Sequence, residues 1–173
     1  MRGGQGLMST SGDASALLRK ALLVLAVVAV MGTAIDLATL RHWSKPIQLV
    51  PWFVLGALAI AIALAAMPSP ITIRAARAIA IAAVLCAVFG VYEHVKSNYD
   101  VAPLDYRYTD RWPTMSSWSR WWAAANKSVG PSPPLAPAVL LYGSLCVLFA
   151  TIRHPVLRGP DGSAPREENN HER

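Results

Sequence analysis

The chain has 173 residues, of which 54% are hydrophobic and only 15% charged, with a formal net charge of +6. Soluble domains carry about 25% charged residues, so the composition is unlike that of an ordinary soluble domain and the apolar residues must be concentrated in stretches. The basic excess is scattered, with no dense run and no recognition motif, and gives no ground for a nucleic-acid partner.

In chain order, residues 1–15 form a Gly/Ser-rich tail expected to be disordered. The first apolar stretch covers residues 21–40, "ALLVLAVVAVMGTAIDLATL". Preceded by Arg19 and Lys20 and containing "GTA", it also reads as a secretory signal. Its continuation to Leu40, and the three further stretches, favour a membrane span. The second stretch runs over 50–67 and the third over 71–93, with Arg74 and Arg77 in its first turns, where they can snorkel to the headgroups. The fourth covers 135–152, and residues 158–173 form a polar tail expected to be disordered. Each stretch is near the ~20 residues needed to cross the ~30 Å hydrocarbon layer as a helix. Lipid offers the backbone no hydrogen-bond partner, so helices are the expected form. The fold class is therefore all-α: a transmembrane four-helix bundle over residues 16–157. Runs of small residues, Gly56, Ala57, Ala59, Ala61 and Ala63 in the second span and Ala78, Ala80, Ala82, Ala83 and Ala87 in the third, suit close helix contact. Cys86 and Cys146 lie within spans at no metal-site or disulfide spacing and read as packing residues.

Only one connection is long, the loop 94–134. All six tryptophans fall on its side of the bundle: Trp43, Trp52, Trp112, Trp118, Trp121 and Trp122. They are expected to anchor the outer interface as an aromatic belt. Trp118, Trp121, Trp122 and Ala125 follow helical spacing, which predicts a short amphipathic helix over 114–127 lying in that interface, with Pro113 as its start. A ligand platform is the functional alternative for the same stripe. With the N-terminus inside, nine Lys and Arg residues fall on the inner side (Arg2, Arg19, Lys20, Arg74, Arg77, Arg153, Arg158, Arg166 and Arg173). Seven fall outside (Arg41, Lys45, Lys96, Arg107, Arg111, Arg120 and Lys127), mostly in the long loop, where charge counts less. The expected topology is both termini cytoplasmic.

Polar residues gather at the outer ends of the first and third spans: Asp36, His42, Gln48, Glu93, His94 and Asn98. His94 and Asn98 are four apart and share a helix face. An acid one turn inside a span needs a partner, and His42, Lys45 or Lys96 are candidates for Asp36. His42, His94, Glu93 and Asp36 contain ligand types for a transition metal, so a metal ion is possible although no cofactor is predicted. A histidine beside a carboxylate can also carry protons. The plain alternative is that these groups, with Gln48 and Asn98, pin helix ends. No phosphate loop, nucleophile elbow, HExxH or paired-cysteine motif occurs, so an enzyme is not expected.

The stretches "RHWSKPIQLVPW", "GVYEHVKSNYD", "PPLAPAVLLYGSL" and "RHP" together resemble a family of small four-span bacterial membrane proteins of unassigned function, over about residues 20–155. The resemblance makes His42, Gln48, Pro51, His94, Asn98, Pro137 and His154 its signature positions and implies architecture, not mechanism. The function expected is that of an integral protein of the bacterial inner membrane, structural or accessory. Its partners are the lipid bilayer and a membrane protein or a second copy. A metal- or cofactor-binding membrane protein and a small proton- or solute-linked transporter are the alternatives. Thr33, Ser144 and Thr151 are the few polar residues in the lower span halves, a thin basis for a transport path.

Overall fold

The computed structural model describes residues 5–157, and among them the chain is helical with no strand. Helix α1 is Gln5–Thr39, α2 Pro46–Ala65, α3 Pro70–Val101, α4 Ser117–Ala125 and α5 Ala138–Thr151. Three of them, α1, α2 and α3, are long and apolar enough to cross a membrane. The apolar α5 has 14 residues, a rise of about 21 Å at ~1.5 Å per residue.

The first and the fourth stretch both begin elsewhere than expected. Residues 5–15, expected as part of a disordered tail, are the first turns of α1, while residues 1–4 and the tail 158–173 lie outside the described residues. The fourth stretch begins as a turn over 134–137 rather than as helix. Pro133, Pro134 and Pro137 explain this, because each lacks an N–H and disfavours helix in the residue before it. Helix starts once Leu141 N–H reaches the Pro137 carbonyl.

Each long helix is apolar around most of its circumference and gives one stripe to the interior. On α3 the stripe is Ile73, Ala76, Ala80, Ala83 and Ala87, at alternating three- and four-residue steps. On α2 it is Val54, Leu55, Leu58, Ala61 and Ala65, and on α1 it includes Ala26, Ala29 and Leu37. Between them sits α5, half of whose residues are buried. Gly143 of α5 faces Ala29, and its hydrogen stands where a Cβ would lie 3.1 Å from the Ala29 Cβ. Only part of each small-residue run serves this packing. Ala57 of α2 is half-buried, but Gly56, Ala59 and Ala63, and Ala78 and Ala82 of α3, face outward. The outward surface is a belt of large apolar residues, among them Val24, Val28, Ile35, Phe53, Ile60, Leu85 and Phe89. A helix apolar on all sides that buries one stripe against protein has lipid as its natural solvent.

Candidate functional site

At one end of the bundle, α3 continues as helix to Val101, two turns beyond the expected end of its span. "VYEHVKSNYD" is thus helix throughout. The extension carries a small cap, residues 102–134, with its own core of Ala102, Trp112, Ala123, Ala124 and Val129. Trp112 is 5% exposed. It was expected as an interfacial anchor and is instead the largest side chain of the cap's interior, edge-on to Tyr99 and Tyr108. Helix α4 starts later than the predicted helix, at Ser117, because the Ser116 hydroxyl accepts the Ser119 N–H as an N-cap. Pro113 belongs to a separate 3-10 turn, Trp112–Thr114. The buried face of α4 is Ala123 and Ala124. Trp121 stacks on Tyr99 at 4.5 Å between ring centroids, while Trp118 and Trp122 stack on each other, 76% and 59% exposed. An open cleft of about 300 Å³ lies beside them, with Arg111 held over the Tyr108 ring at its edge.

The α3 stripe of alanines passes upward into His94 and Asn98, and both grip the segment that leads into α5. Asn98 is fully buried. Its amide NH2 donates to the carbonyls of Ala124 (3.1 Å) and Ser132 (2.7 Å), and its Oδ1 accepts the Ser132 N–H at 2.8 Å. His94 Nδ1 lies 2.8 Å from the Pro133 carbonyl. A carbonyl only accepts, so Nδ1 carries the proton and Nε2 holds the lone pair of the neutral ring. These two side chains were expected to share a face, and they do so as a clasp on one backbone segment.

The other polar residues are also spent on backbone. Gln48 Oε1 accepts the Lys45 N–H at 3.0 Å and so closes the start of α2. His42 is fixed from both sides. Its N–H bonds the Leu37 carbonyl and caps α1, and its C=O receives the Trp52 indole N–H at 2.8 Å. Arg41 makes this turn at φ 50°, the left-handed position at which helix ends favour glycine. Of the candidate partners for Asp36, Lys96 is taken by Asp100, an i,i+4 pair on the same helix. Asp36 itself is exposed and in no ion pair.

His42 and His94 do come within electrostatic reach. Burial lowers the His42 pKa from its ordinary value, the His94 charge lowers it further, and Asp36 opposes both. Among the described residues, His42, His94, Glu93 and Asp36 included, no three His, Cys, Asp or Glu side chains are placed to hold one metal ion. A depressed histidine has a defined consequence for stability. The unfolded His42 takes up its proton near pH 6.5, the folded one only at lower pH. The unfolded chain therefore binds more protons as pH falls, and stability present above pH 6.5 is lost below it. Melting of the purified protein at about pH 7.5 and about pH 5.5 should show the drop, and His42→Gln should shrink it. Parallel drops in the two proteins would refute the assignment. His154 shifts in the same direction, by burial and by the charge of Arg19, but adds the same drop to the wild type and to His42→Gln.

Comparison with protein families, curated proteins and solved structures returned no match. The functional reading therefore rests on the geometry just described.

Proposed function

We propose that the chain is an integral protein of the bacterial inner membrane, crossed by α1, α2, α3 and α5, with both termini cytoplasmic and the cap of residues 102–134 outside. Its role in this reading is structural or accessory, not catalytic, as a partner to another membrane protein or to its own copies. The burial of half the residues of α5 among its neighbours, rather than against lipid, supports a fourth crossing by this short apolar helix.

The observation that carries the reading is where the polar groups go. Asn98, His94, Gln48 and Trp52 each bind backbone of their own chain at the cap end. In the bundle, the hydroxyls of Thr33, Ser144 and Thr151 each donate to a carbonyl of their own helix. A transporter needs polar groups turned toward a path, and these are turned into their helices. The test is elemental analysis and an absorption spectrum of the purified protein beside its His42→Ala/His94→Ala variant. The accessory reading expects no stoichiometric metal, no chromophore and identical spectra. Metal near one per chain, lost in the double variant, would replace it with a metal-binding function. For orientation, Tyr106, 88% exposed in the cap, is the reporter. Tyr106→Cys, with Cys86 and Cys146 changed to Ala, should react with a membrane-impermeant maleimide on intact cells, and protection there would reverse the topology.

A further inference from the structure

The end of the bundle opposite the cap gathers positive charge from three elements. Arg77, in the second turn of α3, donates from Nη2 to the Thr151 carbonyl and so caps α5. Its Nε is, among the described residues, the one buried side-chain nitrogen or oxygen with no partner. Arg19 of α1 lies within electrostatic reach of His154, which follows α5. The His154 Nδ1 accepts the Val156 N–H at 3.4 Å, which places the proton of the neutral ring on Nε2 as a free donor. Lys20, Arg74 and Arg153 stand exposed around this group. Among the described residues no carboxylate pairs with it: their two ion pairs, Lys96–Asp100 and Arg107–Asp105, are both at the cap end. Asp13, six residues before Arg19, joins no ion pair.

From this convergence we infer that Arg19, Arg77 and His154 form a binding site for the phosphate of an anionic phospholipid, in the seam between the ends of α1, α3 and α5. A phosphate oxygen entering that seam gives Nε the acceptor it lacks, and a buried donor left alone calls for such a partner. The lipid source follows from the surroundings. Leu17 and Leu18 precede Arg19, Ile71 lies one turn before Arg74 and Ile152 precedes Arg153, and these four are 70%, 61%, 77% and 47% exposed. An apolar rim directly beside the cations suits acyl chains, which a free phosphate ion does not have. Basic pockets between helices on the cytoplasmic side are known headgroup sites. The inference rests on the reading of the chain as membrane-embedded.

Native mass spectrometry of the full chain, released from micelles with equal phosphatidylglycerol and phosphatidylcholine, tests it. The expected result is one retained phosphatidylglycerol, several-fold over phosphatidylcholine. That preference should vanish in Arg19→Gln and in Arg77→Gln and persist in Lys96→Gln at the far end. Arg77→Gln also removes the cap on Thr151 and can fail to fold, so Arg19→Gln decides. Equal retention of the two lipids, or a preference unchanged in Arg19→Gln, overturns the site. Thermal protection by inorganic phosphate equal to that by phosphatidylglycerol overturns the lipid as its ligand. Recovery of the chain from the aqueous fraction of lysed cells would instead refute the membrane reading on which the site depends.

Discussion

Asn98→Ala should release the cap from the bundle. Among the described residues, the asparagine amide is the only side chain that hydrogen-bonds across the end of α3, the end of α4 and the segment entering α5, through Ala124 and Ser132. Alanine leaves two carbonyls and one N–H without partners in a buried place, at a cost of about 1–3 kcal/mol for each group that water cannot reach. Gly130 is the other half of the joint. It stands at φ 76°, and a Cβ there would lie 2.6 Å from the Asn98 Cα and closer still to its Oδ1. Gly130→Ala therefore meets both backbone strain and a backbone clash, and its neighbour cannot move without breaking the three bonds. Each variant should leave the helical signal of α1, α2 and α3 intact while cap amides exchange with solvent many-fold faster. Because both act on one contact, the double variant should cost clearly less than the sum of the two. Additive effects, or a cap that stays protected in Asn98→Ala, would show that the joint lies elsewhere.

This joint also shows how far the sequence can be read. Hydrophobicity sets the positions of the helices, since an apolar run of about 20 residues has few other fates, and α2 and α3 begin within a few residues of the expected places. The shared face of His94 and Asn98 follows from their spacing of four. Their actual partners do not, because they are backbone groups of Ser132, Pro133 and Ala124, more than 25 residues away and invisible to side-chain patterns. Trp112 and Trp118 are the same residue type in the same loop, yet one is core and the other surface. The helical stripe was legible at Trp118, but Trp112 precedes α4 and is buried by tertiary contacts with Tyr99 and Tyr108. The helix ends hid for a different reason. Glycine is the usual sign of a left-handed end, and here α1, α4 and α5 are followed by Arg41, Lys127 and Arg153 at φ 50°, 59° and 49°. A cation is favoured at the negative end of a helix dipole, which offsets part of the strain of placing a side chain there. In "RHW" and "RHP" the arginine makes the turn and the histidine follows it, so the repeated Arg-His pair reads as a helix stop. The polar cluster at the cap end was legible as a cluster. Its use as a set of backbone clasps was not, since a histidine that donates to a carbonyl and one that binds a metal look alike in sequence.

Gly143→Leu should have the largest effect within the helical bundle. Between α5 and α1 the approach is set by Gly143 against Ala29, with the Leu58 side chain of α2 3.5 Å and the Ala26 carbonyl 3.8 Å from where a Cβ would stand. Ala26 and Leu58 are both fully buried, so a larger side chain has no free volume to enter. Even alanine would sit 3.1 Å from the Ala29 Cβ, and the helices would have to part by a few tenths of an ångström. Leucine must push α5 out of its seat among three helices, and overpacking of this kind costs about 1–3 kcal/mol or more. Lipid gives little in return, because helix association there depends on close packing rather than on escape from water. Gly56→Leu is the matched control. The same helix-interior change on α2 meets nothing within 4 Å and faces outward. The purified Gly143→Leu protein should melt at clearly lower temperature, or aggregate on extraction, while Gly56→Leu behaves as wild type. Companion substitution of Ala29 by Gly should recover part of the loss by widening the same contact. Equal melting of the two leucine variants would mean that α5 is not seated between α1 and α2, and the fourth crossing would lose its packing argument.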